Sequence, residues 1–429
     1  MKKYSLFILL FFNILAGYSQ EQQSQSLKLS REEIEVLFLK NNLQLIAEKF
    51  NIDIADAAIV QARLWDNPTL SIEGMNLWST KSQRDEIEDM VTSSFVKNTE
   101  FSIELSQLIL TANKRGKLIR REKVSKEIAR QEFEKILRGL KAELRKSIYE
   151  TQYLQAYLNI LMNQRQSVNQ LVESHRKQVL QGNIAKSELL RLQSSLLDLE
   201  NEINDTQLDL EEQRKTLKIL LNIDPFTHIE VADDPDTEKN PDNIILSDLL
   251  YIADESRPDM KQYKLQTQYY QRSLDYEKSQ RIPNINISAS YDRYGGVWKD
   301  FVGFGVSIDL PFFNRNQGNI KAAKLSIDQS QYLSQQQHSI IRHEITTAYN
   351  SYLHTYNFYK KIENNSLFSE LDGMLDVYTK NLQYRNIGML EYVDFMDTYK
   401  SSKQTMLTAK KNVSIQFEEL QYTVGTDIK

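Results

Sequence analysis

The second half of this sequence repeats the first half, and that duplication limits the possible folds. The segment VLQGNIAKSELL at residues 179–190 aligns with LQYRNIGMLEYV at 382–393, at an offset of 203 residues. The segment FSIELSQLILTANKRG at 101–116 aligns with GFGVSIDLPFFNRNQG at 303–318, at an offset of 202. Self-similarity of this kind indicates a structure built from two related halves. Each half is predicted to contain a helix, two strands, a long helix, a turn and a final helix.

The predicted domain organisation follows from this alignment. We expect a first repeat at 29–221, a linker at 222–245 and a second repeat at 246–429. The linker is rich in Asp, Asn and Pro, which predicts a surface connection. Residues 1–19 carry two lysines directly after Met1 and continue with an apolar stretch, which predicts a secretory signal peptide. No later stretch is apolar for long enough to predict a transmembrane helix.

Four short segments alternate apolar and polar residues, as β-strands do. They are residues 69–74, 101–106, 284–292 and 302–310. One apolar face suits either a half-buried soluble sheet or an outer-membrane strand, and the pattern alone favours the soluble sheet because the signal of each barrel strand is weak. Residues 79–98 are polar and predict an extracellular loop.

Long helices dominate the rest of the chain. Its 429 residues include only 13 Gly and 7 Pro, so it has few turns for its length. Helices are predicted from Lys114 to Leu180 and from Gly318 to Tyr384, and 67 helical residues form a rod of about 100 Å. Apolar residues recur along both at steps of three and four, which predicts packing against neighbouring helices. The second helix carries this seam at Ile341, Ile345, Ala348, Tyr352 and Tyr359.

If the four strands lie in lipid, their number determines that several chains must assemble. Open sheet edges are not tolerated in a bilayer, and bacterial barrels need at least eight strands. Four strands per chain therefore imply several chains around an axis, and three chains would supply twelve strands. The sharp changes from strand to helix at Ala112–Gly116 and Asn314–Gly318 would then mark the junction between a barrel and a helical tube. The residues of this predicted barrel-to-tunnel turn are Gly116, Pro311, Asn314 and Gly318.

At this point the sequence resembles a known family. VSIDLPFFNRNQGNIKAAK at 306–324 is similar to a signature of the TolC-type outer-membrane efflux family, especially its heavy-metal cation-efflux branch. WDNPTLSIEG at 65–74 resembles the first-strand entry of the same branch. The resemblance implies a mainly α fold with a small membrane β part. In that fold a homotrimer forms a twelve-stranded β-barrel in the outer membrane, and an α-helical coiled-coil tunnel continues it into the periplasm.

The resemblance also implies a function and partners. The chain would be a passive exit duct that meets a periplasmic adaptor protein and an inner-membrane pump, for which the RND type is one candidate. A protein of this kind needs no catalytic residue, no cofactor and no resident metal. The chain is mildly acidic, so it has no general attraction to nucleic acid. The alternative is a soluble periplasmic coiled-coil scaffold or adaptor, and an enzyme ranks well behind both.

The resemblance finally implies a gate at the periplasmic end. The hairpin turns are expected at Gln181–Lys186 and Arg385–Leu390. Their predicted tip residues are Gly182, Asn183, Asn386 and Gly388, with each glycine supplying a turn. The acidic gate pair of the family falls on Asp394 and Asp397, which share one helix face at a spacing of three. The gate arginine of the family falls on Leu390, which leaves Arg385 and Arg191 as candidates for an Arg–carboxylate lock.

Overall fold

The described part of the chain is mostly helical. The computed structural model describes residues 26–75, 82, 100–233, 240–293 and 297–428. The predicted signal peptide at 1–19 lies outside the described residues, as does nearly all of the predicted loop at 79–98. The helices are α1 Arg31–Asn41, α2 Leu43–Arg63, α3 Lys114–Leu180, α4 Lys186–Leu221, α5 Leu246–Ser256, α6 Pro258–Ser279, α7 Gln317–Glu363, α8 Leu367–Gln383 and α9 Met389–Val424. The strands are β1 Ser26–Leu29, β2 Thr69–Glu73, β3 Ser102–Ile109, β4 His228–Val231, β5 Ile285–Asp292 and β6 Phe301–Ile308.

The chain forms two compact units, and each unit takes segments from both sequence repeats. The sheet unit comprises Ala47–Ile136 and Asp254–Arg342. The helical unit comprises the segment that ends at Ile46, the segment Leu137–Ala253 and the segment that starts at His343. The compact units therefore do not coincide with the two repeats of the sequence.

The sheet unit contains a four-stranded antiparallel sheet in the order β2-β3-β5-β6. All four predicted strands are present within three residues of their expected bounds. The two strands of each repeat pair with each other, and β3 of the first repeat pairs with β5 of the second. β2 and β6 are consequently the edge strands of this sheet.

The strand register separates an apolar face of the sheet from a polar face. Successive residues of a strand point to opposite faces of the sheet. Residues directly opposite each other on neighbouring strands point to the same face. One row of the apolar face consists of Leu70, Leu105, Ala289 and Phe304. The adjacent row of the polar face consists of Thr69, Ser106, Ser288 and Gly305. Much of the apolar face is exposed in the single chain, including Phe304 at 87% and Val306 at 69%.

A glycine on the polar face allows β5 and β6 to approach closely. A Cβ atom at Gly305 would lie 2.6 Å from Oγ of Ser288, the residue directly opposite it. Gly303, two residues earlier, has Oγ of Ser290 at 3.0 Å from the same hypothetical position. Any larger residue at Gly305 must therefore displace the Ser288 side chain.

The helical unit has its main apolar core between two helical hairpins. The α3–α4 and α8–α9 hairpins bury side chains against each other, with Leu161, Leu171 and Leu192 fully buried and Tyr392 almost so. The predicted seam of the second repeat is confirmed. Its five residues, Ile341, Ile345, Ala348, Tyr352 and Tyr359, are all buried.

Two short strands in the helical unit were not predicted. β1 pairs with β4 in parallel, from Ser26 opposite His228 to Leu29 opposite Val231. β4 lies inside the predicted surface linker, yet Ile229 and Val231 are buried. This part of the linker is therefore packed against the protein, and four-residue strands are too short to give a clear periodic signal.

The second long helix is interrupted, so the prediction of one helix from Gly318 to Tyr384 was wrong. α7 ends at Glu363 and α8 begins at Leu367. The side-chain oxygen of Asn365 accepts a hydrogen bond of 3.0 Å from the backbone N–H of Leu367. Asparagine side chains compete with the helix for backbone hydrogen bonds in this way. The first long helix has no such interruption and spans Lys114–Leu180, as predicted.

Candidate functional site

The turns at the ends of the two helical hairpins have the same backbone structure. In the first turn, backbone N–H groups donate to carbonyls as Gln181 to Lys177, Gly182 to Val179 and Asn183 to Gln178. In the second turn, the pairs lie 203 residues later, as Tyr384 to Lys380, Arg385 to Leu382 and Asn386 to Asn381. The last two bonds of each turn define a Schellman motif, which ends a helix through one left-handed residue. The predicted turns are thus present, at residues 181–185 and 384–388.

The left-handed positions correct one part of the prediction. Gly182 takes this role in the first turn, with φ of 76°. In the second turn the residue is Arg385, with φ of 62°, and not Gly388. Gly388 precedes α9 with φ of −83° and ψ of 158°, an extended conformation that any residue adopts. A non-glycine residue in the left-handed region costs about 1 kcal/mol or more.

The side chain of Arg385 connects the two hairpins. Its Nη2 donates to the backbone carbonyl of Asn183 at 2.7 Å and to Oε1 of Gln178 at 3.0 Å. Both acceptors lie in the first hairpin, whereas Arg385 lies in the second. Both acceptors are neutral groups of the same chain, so this contact is not an Arg–carboxylate lock. Leu390, at the position of the family's gate arginine, is 72% exposed.

Asp394 and Asp397 lie together on the exposed face of α9, close to the second turn. Both residues are exposed, and the intervening Phe395 and Met396 are buried in the core of the helical unit. Neither aspartate has a hydrogen bond or an ion pair to another described residue. Two carboxylates at this spacing present a concentrated negative charge to whatever α9 faces.

A second polar link between the hairpins involves Glu202. Its carboxylate accepts a hydrogen bond of 2.7 Å from Nζ of Lys400 on α9 and a short one from the hydroxyl of Tyr157 on α3. Burial and this bond to Glu202 raise the pKa of Tyr157. The contact therefore joins α9, which carries the aspartate pair, to the first hairpin.

A buried ion-pair network in the helical unit was missed by the sequence analysis. Arg145 on α3 donates from Nη1 to Oε2 of Glu418 at 2.7 Å and from Nε to Oε1 of Glu35 at 2.7 Å. Arg31 donates to the other oxygen of Glu418 at 2.8 Å, and Asp427 also accepts from Arg145. The side chains of Arg145 and Glu418 are only 8% and 2% exposed.

This network shifts the pKa values of Glu35, Asp427 and Arg145. Burial alone would raise the pKa of the Glu35 and Asp427 carboxyls, but the positive charge and hydrogen bonds of Arg145 and Lys141 lower both. Burial also opposes the charge on Arg145, yet its carboxylate partners raise its pKa. Glu35, Asp427 and Arg145 therefore remain ionised at neutral pH.

The two turns between strand and helix, both in the sheet unit, differ in detail. In the first turn, a Cβ at Gly116 would lie 2.2 Å from Oδ1 of Asn113, so the glycine makes room for that side chain. In the second turn, Oδ1 of Asn314 accepts from the backbone N–H of Asn316 at 3.0 Å, and the Pro311 carbonyl accepts from Arg315. Gly318 has open space around its hypothetical Cβ. The four predicted turn residues thus lie at or beside the two junctions, in different local roles.

Two features are absent from the described residues. None of the helices there is long and apolar enough to cross a membrane. In the same ranges, no group of three or more acidic or histidine side chains is arranged to hold a metal ion.

The fold, with its two helical hairpins, is shared with a solved channel structure. A solved structure of CusC, reported for its transmembrane channel formation, superimposes with a TM-score of 0.72 and 18% identity over 95% of this chain and 96% of that one. The chain belongs to the outer membrane efflux protein family, which it matches over residues 36–222 and 249–357. Family membership confirms the predicted resemblance and favours the channel over a soluble scaffold.

Two relatives of known name are similar in sequence. The toxin and drug export protein A of Aggregatibacter actinomycetemcomitans is 22% identical over 67% of this chain and 64% of its own length. The cobalt-zinc-cadmium resistance protein CzcC of Cupriavidus metallidurans (strain ATCC 43123 / DSM 2839 / NBRC 102507 / CH34) is 20% identical over 68% of this chain and 65% of its own length. The alignments thus span a little under two thirds of each relative.

These comparisons decide several of the predictions. The predicted location, in the outer membrane with the helical part in the periplasm, is confirmed by the family and by the shared channel fold. Members of the family are channels and not enzymes, in agreement with the prediction that the chain has no catalytic role. The predicted mainly helical fold with a small sheet is confirmed as well.

Proposed function

We propose that this chain is one protomer of a homotrimeric exit duct for efflux across the outer membrane. The observation that carries the proposal is the four-stranded sheet with an exposed apolar face and two edge strands. In lipid, the unpaired N–H and C=O groups of β2 and β6 would be costly. If β6 of each protomer pairs with β2 of the next, three copies give twelve strands with no free edge.

An exposed apolar stripe on α2 supports assembly. Large apolar residues that are 43% to 66% exposed recur there at steps of three and four. They are Leu43, Ile46, Phe50 and Ile54. This spacing is that of a coiled-coil seam, and helices of a neighbouring protomer would cover it.

The gate in this proposal is formed by Asp394 and Asp397. Three copies would place six carboxylates around the axis in two stacked rings, which attract cations and repel anions. Their exposure and their lack of partners among the described residues leave both free to act on the passing ion. The two named relatives differ in cargo, so the proposal assigns charge selectivity and not a particular substrate.

The test is conductance in planar bilayers. The variant Asp394→Ala with Asp397→Ala should lose cation selectivity, while its conductance pathway stays open. Asp205→Ala with Asp209→Ala is a matched control, because it removes two exposed carboxylates from α4. Unchanged cation selectivity in the gate variant would refute the gate assignment and would leave the proposed trimeric assembly unaffected.

Opening requires the two hairpins of a protomer to separate at their tips. Arg385 and the Glu202–Lys400 pair are the links that such a movement would break. The variant Arg385→Ala should therefore increase the open probability of single channels, and adding Lys400→Ala should increase it further. If neither variant changes channel opening, the hairpins move together and these links play no part in the gate.

The proposed partners are a periplasmic adaptor and an inner-membrane pump, with the RND type as one candidate. The turns with Gly182, Asn183, Asn386 and Gly388 would be the docking tip, because their polar side chains are exposed at the hairpin ends. Cross-linking in cells from a photoreactive residue at Asn183, followed by mass spectrometry, should capture an adaptor. The same residue placed at Lys215 on α4 is the control.

We also propose that the repeats at 29–221 and 246–429 arose by duplication. Left-handed residues recur at an offset of 203, at Gly182 and Arg385 and again at Asn222 and Gly425. The first helices α1 and α5 coincide at an offset of 215. Separate expression of the repeats tests a consequence, since each compact unit needs segments of both and neither repeat should fold alone.

A further inference from the structure

A cluster of exposed cations and aromatic rings lies beyond the end of β6 in the sheet unit. Its members line two adjoining cavities of about 520 Å³ each, and both cavities include Arg281, Phe312 and Arg315. We call this surface the basic aromatic patch. It consists of Lys278, Arg281, Phe312, Phe313, Arg315, Lys321 and Lys324.

The positive charges of the patch are not neutralised within the chain. None of its five cations forms an ion pair with a carboxylate in the described residues. Other cations of the sheet unit do so, such as Arg121 with Glu122 and Arg257 with Asp259. The nearby carboxylate of Glu277 accepts a hydrogen bond of 2.6 Å from Asn316. The five cations therefore form a surface that can bind an anionic partner.

The aromatic rings of the patch are unusually exposed. Phe313 is 95% exposed and Phe312 is 67% exposed. They continue a line of exposed apolar side chains that runs along β6 through Phe304 and Val306 to Leu310. Phe312 and Phe313 follow the end of this strand, where the N–H of Phe312 donates to the Leu310 carbonyl in a tight turn. Apolar rings beside cations match the boundary between acyl chains and phosphate groups of a bilayer.

We propose that the basic aromatic patch binds the phosphate groups of the phospholipid leaflet that faces the periplasm. The inference rests on the proposed function, which puts the apolar face of the sheet in the outer membrane. The patch lies where β6 ends and α7 begins, which is the periplasmic edge of that sheet. Phe312 and Phe313 enter the acyl region, and the five cations hold the anionic headgroups above them.

The corresponding junction of the first repeat also has a cation over an exposed ring, Arg115 over Trp65, but it differs at three positions of the patch. Arg281 aligns with Asp66 at the offset of 215, and Lys324 aligns with Glu122 at the offset of 202. Phe312 aligns with Leu110 at the same offset. The basic aromatic patch defined by these seven residues occurs once per protomer and so three times in a trimer. Lipid would be held at three places around the barrel.

Native mass spectrometry of the detergent-purified protein tests the inference. The protein is titrated with phosphatidylglycerol, which is anionic, and with phosphatidylcholine, which is zwitterionic. We expect tighter binding of phosphatidylglycerol, with up to three lipids per trimer in the first, tight phase. The variant Arg281→Gln with Arg315→Gln and Lys324→Gln should weaken this binding at least about tenfold, since each basic residue near an anionic surface adds a comparable share of the affinity.

The control variant removes the same charge elsewhere. Arg176→Gln with Lys215→Gln and Lys361→Gln changes three exposed cations of the helical unit and should leave the lipid preference unchanged. Equal binding of the two lipids by the unmodified protein would overturn the inference, and so would equal loss in both variants. These outcomes are read on an intact trimer. A protein that is monomeric without detergent would instead overturn the proposed function.

A second readout follows the aromatic rings. The variant Phe312→Trp in liposomes is compared with the unmodified protein, and the extra fluorescence is quenched with brominated lipids. Bromine near the headgroup should quench this signal more strongly than bromine at the end of the acyl chain. Equal quenching from both depths, or none, would place the ring away from the interface and contradict the proposal.

Discussion

Gly182 and Arg385 lie 203 residues apart in the chain and occupy the same left-handed position of the same turn. The second repeat thus has the same backbone turn, with an arginine where the first repeat has a glycine. The arginine gains hydrogen bonds to Asn183 and Gln178 across the hairpins. The strain of the backbone is offset by a link that only a long side chain can make.

This pair gives opposite predictions for substitutions at equivalent positions. Gly182→Ala should destabilise its hairpin by about 1 kcal/mol, because alanine is strained at positive φ. Arg385→Gly should be more stable than Arg385→Ala by about the same amount, since both lose the side chain but only glycine relieves the strain. Thermal unfolding followed by circular dichroism measures the order. Equal stability of the two Arg385 variants would contradict the assigned backbone.

The two junction glycines also lead to a matched prediction. Gly116→Ala should be destabilising by about 1 kcal/mol, because the added methyl group collides with Asn113 and displaces it from the start of α3. Gly318→Ala meets open space in α7 and should stabilise by about 0.5–1 kcal/mol, as alanine favours helix. The same thermal measurement tests both. A loss of stability in Gly318→Ala would show that this glycine has a contact outside the chain.

The close approach of Gly305 to Ser288 predicts that a second substitution can restore the assembly lost through a first one. Gly305→Ala should cost about 1–3 kcal/mol by overpacking against Ser288, and should reduce the yield of assembled protein. Adding Ser288→Gly removes the opposing hydroxyl and should restore assembly. The fraction of trimer on a semi-native gel reports both effects. Failure of the second substitution to rescue the first would mean that the pairing of β5 with β6 has another register.

The buried ion-pair network predicts that the stability of the helical unit depends on the charge of Arg145. Arg145→Met should destabilise the helical unit by about 3–5 kcal/mol, because it leaves the carboxylate of Glu418 buried without its main partner. Lys215→Met, which breaks an exposed pair on α4, should have no measurable effect. Chemical unfolding of the detergent-purified protein compares the two. Similar stability of both variants would contradict the burial of the network.

The same network predicts the effect of acid. Glu35 and Asp427 have pKa values below those of the unfolded chain, so the unfolded state binds protons first as the pH falls. Their contribution to stability is complete above the usual carboxyl pKa of about 4 and is lost as the pH falls below it. The unfolding midpoint should therefore decrease below about pH 4, and Arg145→Met should flatten this decrease. An equally steep decrease in the variant would assign it to other carboxylates.

The sequence predicts the features that repeat over short distances. The four strands and the uninterrupted helix α3 follow from regular periodicity, and the turns at 181–185 and 384–388 follow from the duplication. The interruption between α7 and α8 was missed because asparagine and serine, unlike proline, only compete for backbone bonds. The left-handed Arg385 could not be predicted, since its stabilising acceptors lie in the other hairpin. The network of Arg31, Glu35, Arg145, Glu418 and Asp427 joins residues too far apart in the chain for any local pattern to relate them.

Disulfide formation between edge strands tests the closure of the sheet by neighbouring chains most directly. The chain has no cysteine of its own, so cysteines can be introduced in pairs, one at Leu70 or Ile72 on β2 and one at Val302, Phe304 or Val306 on β6. Two strands separate β2 from β6, which puts them about 14 Å apart within one chain, beyond the reach of a disulfide. Oxidation in native membranes should give covalent dimers and trimers and stop there. Chains that remain monomeric for every pair, or that link into species larger than trimers, would contradict the account.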